Sequence, residues 1–304
     1  MISKYTYNKT TWIDLEAPTK DEVLSLVGEY DIPLLVVDDL LEPTVRSKID
    51  KYDNLIYLTL HFPNMKGGKN KGIEQEIDFV VGRDFIITTH YEMIDPLHEF
   101  SKIFETNSIL NKSKDMGEHA GFLFYYLIKE LYKNLHLELD DLNKYLLKIE
   151  RKIFEGKEGE VVEEISAVNR KLLDFKQSIR FHREILKSFE FAGKEFFGNE
   201  FSYYLGAIVG EYNKIQNILD GHKEILNDLK DTNDSLLTNK TNQTMKVLTV
   251  MNFIMLPLAL ITGIFGMNSD IIFIRNLSDF FLVLGSMALI GALMYLFFKH
   301  KKWI

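Results

Sequence analysis

The chain has no cysteine in its 304 residues. That excludes a disulfide framework, a thiolate metal centre and a cysteine nucleophile, and it fits a reducing compartment. It also lacks a glycine loop able to cradle phosphate. Its eight histidines, among them His61, His90, His98, His136, His182 and His222, include no pair at the helical spacing that metal centres use. The chain is expected not to be an enzyme and to carry no cofactor. Residues 1–16 contain Lys4, Lys9 and Asp14 and no apolar stretch of the kind found in a cleaved leader, so the first 240 residues are expected to stay in the cytosol. Bases are in deficit there too. The segment from Thr241 onward holds five bases and two acids, which leaves about −11 on the remainder of a chain whose net charge is −8. Nucleic acid is a poor partner for such a surface. An acidic body beneath a pore would concentrate cations, although acidic surface is common without any function.

Two runs lack charge altogether. Residues 247–267 and 280–298 carry no Asp, Glu, Lys or Arg, and each is long enough for a helix to cross a hydrocarbon core of about 30 Å. A pair of buried soluble helices would normally show a polar face, and these show none. Lys240 and Lys246 precede the first run, while Lys299, Lys301 and Lys302 follow the second. Bases favour the cytoplasmic side, so both termini are expected inside the cell membrane, with residues 268–279 as a short outer loop.

The rest reads in two parts. Residues 12–15, 55–62, 77–81 and 85–89 have strand character, with turn signals at Pro63-Asn64 and Gly67-Gly68. Helices are expected over 21–30, opening behind Pro18-Thr19 with Asp21 and Glu22 in the first turn, and over 33–41. From Glu118 the apolar spacing turns helical, interrupted at 155–159 and again near Gly193 and Gly198, with one helix expected over 160–191. A third helix starts near Asn199 and meets no proline before Pro257. It is expected to run into the membrane as a rod of about 60 residues, either a lever or a plain stalk. The fold class is thus a membrane α-helical hairpin of two transmembrane helices, with a cytosolic α/β domain and a long helical stalk. The expected divisions are 1–115, 116–240 and 241–304, with spans at about 246–267 and 280–298.

Within the first span, steps of three and four residues draw a line through Asn242, Met245, Thr249, Asn252, Leu256, Ala259, Gly263 and Gly266. Much of it is small or polar. Gly263, Gly266 and Ala259 would suffice for close helix packing. An amide facing lipid, however, forfeits hydrogen bonds at a cost of several kcal/mol, so Asn252 tilts the reading toward water. One hairpin cannot enclose a pore, and a closed ring of copies would. Pro257 removes one backbone donor and frees the carbonyl of Phe253, which is tolerated beside a cavity or a neighbour.

Thr241-Asn242, residues 245–249 (Met-Lys-Val-Leu-Thr), Pro257 and residues 263–268 (Gly-Ile-Phe-Gly-Met-Asn) resemble the first span of the CorA family of magnesium transporters. Residues 12–15 followed by Pro18-Thr19, the Asp38-Asp39 helix, residues 85–88 and the basic ending at 301–304 resemble the rest of that family. The resemblance implies a homopentamer in the cell membrane, with a funnel-shaped cytosolic body and a pore lined by the first span. It implies selection of hydrated Mg2+ by Gly266, Met267 and Asn268, whose amide ring would accept hydrogen bonds from hydration water. It further implies apolar constrictions at Met245, Leu248 and Leu256, a polar ring at Asn242 and exposed carbonyls at Gly263, although helix packing explains Leu248 equally well. Where the family carries an acidic Met-Pro-Glu element, this loop reads Ser-Asp-Ile-Ile-Phe-Ile-Arg-Asn-Leu-Ser-Asp, leaving Asp270 and Asp279 as stand-in candidates. Co2+, Ni2+ and Zn2+ travel on the same architecture. A membrane-anchored scaffold is the remaining alternative. For a regulatory metal, uncharged Gly206-Ala207-Ile208 stands where an aspartate is expected, and Glu211 one turn on is the candidate, with a salt bridge its plainer role.

Overall fold

In the computed structural model, residues 1–7, 9–64, 74–110, 119–266, 277–301 and 303 are described. Six strands form one sheet: β1 (Ile2–Tyr7), β2 (Thr10–Glu16), β3 (Ile49–Lys51), β4 (Leu55–Pro63), β5 (Glu74–Gly82) and β6 (Phe85–His90), in the order β1-β2-β6-β5-β4-β3. All neighbours are antiparallel except β2 and β6. The four expected strands are present. β1 and β3 add the two edges, and neither has the continuous apolar content that marks β4 and β5.

Helix α1 (Lys20–Tyr30) opens on a capping box. Glu22 N donates to Thr19 Oγ1 at 3.3 Å and Thr19 N donates to Glu22 Oε2 at 2.8 Å, satisfying two orphan donors together. Together with α2 (Leu34–Leu41) it covers one face of the sheet, where Val23, Leu26, Val36, Val37 and Leu40 pack on Ile13, Leu15, Leu55, Tyr57, Val80 and Ile87.

The other face meets α3 (Asp95–Leu110), α4 (Ala120–Phe154), α5 (Val161–Ser178) and α6 (His182–Phe197). Trp12 lies against Phe100 and Phe104 with ring centroids 5.5 and 6.0 Å apart, and Phe79 against Phe124 at 5.4 Å. Alternation along the strands produces this division, since side chains one residue apart point to opposite faces. α3 lies ahead of the point where helical character was expected to begin. Its Asp95-Pro96 opening and its buried Leu97, Phe100 and Phe104 are the signals that identify it.

The single helix expected over 160–191 is two, parted by a turn at residues 179–181. The turn places His182 at the start of α6, fully buried, where Nε2 donates to the His61 carbonyl of β4 at 2.8 Å and Nδ1 accepts from Tyr132 Oη at 2.7 Å. Burial pushes this imidazole down to about 3, so it docks as a neutral ring. Gly193 lies within α6, and the turn that follows is at Gly198, whose φ of 100° is open to glycine without strain.

A short 3-10 turn (Asn199–Phe201) leads into α7 (Ser202–Phe265), 64 residues with Pro257 inside, and the last element is α8 (Leu277–His300). The chain divides into two compact units, Met1–Leu229 and Lys230–Ile304. α7 supplies its first part to one unit and its last part to the other.

Candidate functional site

Both long apolar stretches are helical, and almost nothing of either is buried within the structure. That removes the reading of two soluble core helices, which would be covered by protein. In the second unit the end of α7 pairs with α8. Val250 is buried, and Ile254, Pro257, Leu258, Ile261 and Phe265 are half-buried. The Phe253 and Phe298 rings lie 6.2 Å apart, and a Cβ at Gly291 would stand 3.8 Å from Leu258 Cδ1. These contacts recur every three or four residues and so define one face of α7.

The opposite face is the line of small and polar residues. Asn242, Met245, Asn252, Leu256, Ala259, Gly263 and Gly266 are exposed, as is Leu248, while Thr249 is half-buried. The hairpin thus covers the apolar side of α7 and leaves the amide-bearing side open. Thr249 Oγ1 donates to the Met245 carbonyl at 2.7 Å, and Thr262 Oγ1 to the Ala259 carbonyl at 2.9 Å, so these hydroxyls are satisfied on their own helix. The Asn252 amide makes no such bond and has no hydrogen-bond partner among the described residues.

At the end of α7, Gly266 N donates to the Thr262 carbonyl at 2.8 Å, and a Cβ at Gly266 would fall 2.9 Å from that same oxygen. Backbone cannot yield as a flexible side chain would, so the position requires glycine. Gly263 has open space where a Cβ would go. Met267, Asn268 and Asp270 lie outside the described residues, and of Asp279, in the first turn of α8, only the backbone is described.

Glu211 sits in the first unit on α7. It pairs with Lys214 at 2.7 Å and approaches His136 Nε2 of α4 at 3.5 Å. Burial pushes its carboxyl up, but Lys214 and His136 outweigh that and hold it below the usual range. Among the described residues no three His, Asp or Glu side chains converge as a metal centre. His61 and His90 are engaged by neighbouring groups of the first unit. His61 Nε2 faces the Thr44 carbonyl at 3.0 Å, and His90 Nδ1 faces the Glu92 carbonyl at 2.6 Å with Nε2 3.3 Å from Asp14 Oδ2.

Sequence reading passed over Asp78, the most deeply buried acid among the described residues. It stands alone in an otherwise apolar strand segment at 77–81, and it is wholly buried in the structure. That isolation was the available signal.

A cobalt/magnesium transport protein CorA of Thermotoga maritima is 26% identical over 299 residues, which cover 97% of this chain and 83% of the relative. The solved complete structure of the CorA magnesium transporter from Methanocaldococcus jannaschii matches 100% of this chain and 98% of its own at a TM-score of 0.84 and 21% identity. The cytoplasmic domain of ZntB from Vibrio parahaemolyticus matches 77% of this chain and 89% of its own at a TM-score of 0.60 and 16% identity. The family model described as CorA-like Mg2+ transporter protein covers residues 7–300, from the end of β1 to the close of α8. On that breadth of match the chain belongs to the CorA-like Mg2+ transporter family.

Proposed function

We propose that the chain forms a passive, channel-type path for Mg2+ across the cell membrane, with five copies arranged so that α7 of each lines the pore and α8 faces lipid. The observation that carries this reading is the division of α7. Its apolar side is taken by α8, and the side holding Asn242, Asn252, Ala259 and Gly263 is free to meet water or other copies. An amide left unpartnered at mid-span is costly in hydrocarbon and at home on an aqueous axis.

In this reading Asn268, with Gly266 and Met267, forms the outer ring. Amide oxygens there accept hydrogen bonds from the waters that Mg2+ gives up reluctantly, so the ion is held without being trapped. Met245, Leu248 and Leu256 narrow the path with apolar rings, Asn242 marks its cytosolic mouth, and Thr249, Ala259 and Gly263 line the wall between. Asp270 and Asp279 attract ions to the entrance, and Glu211 stands as the candidate for sensing cytosolic metal. Residues 1–115 and 116–240 form the cytosolic body and 241–304 the membrane part, with both termini cytoplasmic beside the basic flanks. Inward movement is driven by the membrane potential, worth about 2.3 kcal/mol per charge per 100 mV and twice that for a divalent ion.

The test is flux into lipid vesicles holding the full chain, with and without Asn268→Ala. The channel reading expects the substitution to abolish or strongly reduce Mg2+ entry. Absence of Mg2+ entry with either chain would return the hairpin to a mere anchor, and unchanged entry would remove Asn268 from the ion path. Competition between Mg2+ and Zn2+ in the same vesicles, with Co2+ and Ni2+ alongside, identifies the preferred cargo and would expose a zinc transporter of the same build.

A further inference from the structure

On the face of the sheet beneath α1 and α2, the apolar row of Tyr57, Val80 and Ile87 gives way to a polar one. Thr59 on β4, Asp78 on β5 and Thr89 on β6 are direct register partners, and all three are 0% exposed. Asp78 Oδ1 accepts hydrogen bonds from Tyr57 Oη at 2.9 Å and Thr59 Oγ1 at 2.8 Å. Its other oxygen, Oδ2, has no partner among the described residues, and neither does Thr89 Oγ1.

The charges around it are mainly of the same sign. Glu76 lies two residues before it on β5, Asp39 acts on it from α2, and Tyr91 beyond β6 senses both of these together with Asp78 and Glu42. The nearby cations are engaged elsewhere. Lys48 pairs with Asp39 at 2.5 Å and lies 5.3 Å above the Tyr57 ring, while His61 Nε2 is 3.4 Å from Glu76 Oε2. A carboxylate buried without a counter-charge is strongly disfavoured, and such a group takes up a proton instead. Burial and the charge of Glu76 push Asp78 up to about 8, against the opposing pull of the Thr59 and Tyr57 hydrogen bonds.

The same neighbours tie the covering segment down. Thr44 donates to Glu76 from its backbone N at 2.9 and 2.8 Å and from Oγ1 at 2.9 Å, and Tyr91 Oη donates to the Asp39 carbonyl at 3.2 Å. A new negative charge at Asp78 would act directly on Glu76 and Asp39, the two acids through which α2 and residues 42–48 are fastened to the sheet.

We propose that Asp78 is a proton-binding site whose carboxyl is neutral in the folded chain at neutral pH, with the proton on Oδ2, the oxygen to which no described residue donates, and that losing this proton as pH rises loosens α2 and residues 42–48. The site makes the packing of the sheet responsive to pH through a group buried in the first unit. It is independent of the transport reading, because both of its readouts are made without flux.

Infrared difference spectra of the full chain in detergent should contain a protonated-carboxyl band at pH 7 that is absent from Asp78→Asn. Amide exchange over residues 34–48, corrected for its intrinsic pH dependence, should lose protection about tenfold per pH unit as pH rises toward the titration point in the native chain, level off beyond it, and stay level throughout in Asp78→Asn. Should the asparagine variant fail to fold, Thr59→Val keeps the carboxyl, removes one donor to Oδ1 and should move the midpoint of the carboxyl band to higher pH. A native chain without that band, native and asparagine curves that coincide, or a valine variant with an unmoved midpoint would each overturn the proposal.

Discussion

Two glycines three residues apart make a test at single-residue scale. A methyl group at Gly266 meets the Thr262 carbonyl oxygen at 2.9 Å, whereas at Gly263 it meets nothing within 4 Å. Gly266→Ala is expected to cost about 1–3 kcal/mol through overpacking against backbone. Gly263→Ala is expected to raise stability by up to about 1 kcal/mol, the gain in helix propensity. Melting of the detergent-solubilised chain measures both. The second substitution should also lower Mg2+ flux while the protein becomes more stable, because in the pore reading the added methyl projects into the ion path. A Gly263→Ala chain with higher stability and undiminished flux would place that glycine away from the axis. Residues of this kind were readable because their meaning is local: a small or amide side chain in an apolar run contrasts with its immediate neighbours. His182 and Asp78 were not readable in the same way. Their partners, Tyr132 at 50 residues' separation and Tyr57 at 21, become neighbours only through the fold.

Among elements, the two apolar helices and the central strands β4, β5 and β6 followed from pattern alone, because burial on both faces leaves long runs of apolar residues. The edge strands β1 and β3 were hidden by their exposure, and the break between α5 and α6 by the apolar spacing that continues on both sides of it, with no glycine or proline at residues 179–181. The junction of β2 and β6 carries its own prediction. Both ring nitrogens of His90 face oxygens, the Glu92 carbonyl and the Asp14 carboxyl group, an arrangement that favours the imidazolium. Burial works to lower the His90 value, yet Asp14 and the Glu92 carbonyl prevail and raise it. A histidine with a raised folded value contributes stability that is full below its ordinary value of about 6.5 and is lost as pH climbs through the folded one. The stability lost in Asp14→Asn should therefore be larger at pH 6 than at pH 9, as read by thermal melting at both. An equal loss at the two pH values would show that the pair is not charged.

For the molecule as a whole, passive conduction makes a demand that no single residue can. Entry of Mg2+ into vesicles holding the full chain should increase with an inside-negative diffusion potential and need no nucleotide, since each 100 mV supplies about 4.6 kcal/mol to a doubly charged ion. Flux indifferent to an imposed potential would speak for an electroneutral carrier. The acidic balance of the chain, −8 overall, acts in the same direction by enriching cations near it, an effect that high salt should screen.

The parallel pairing of β2 with β6 has a consequence for biosynthesis. Thr11 is registered with Phe85 and Glu16 with His90, and the Trp12 indole donates to Thr88 at 2.9 Å across 76 positions of sequence. The opening hairpin of β1 and β2 thus leaves the ribosome without its neighbour in the sheet. It must wait, edge exposed, until the ninetieth residue has emerged, and closing so long a loop is a slow step. Assembly of this region is timed by translation of β6, not by the appearance of the first strands.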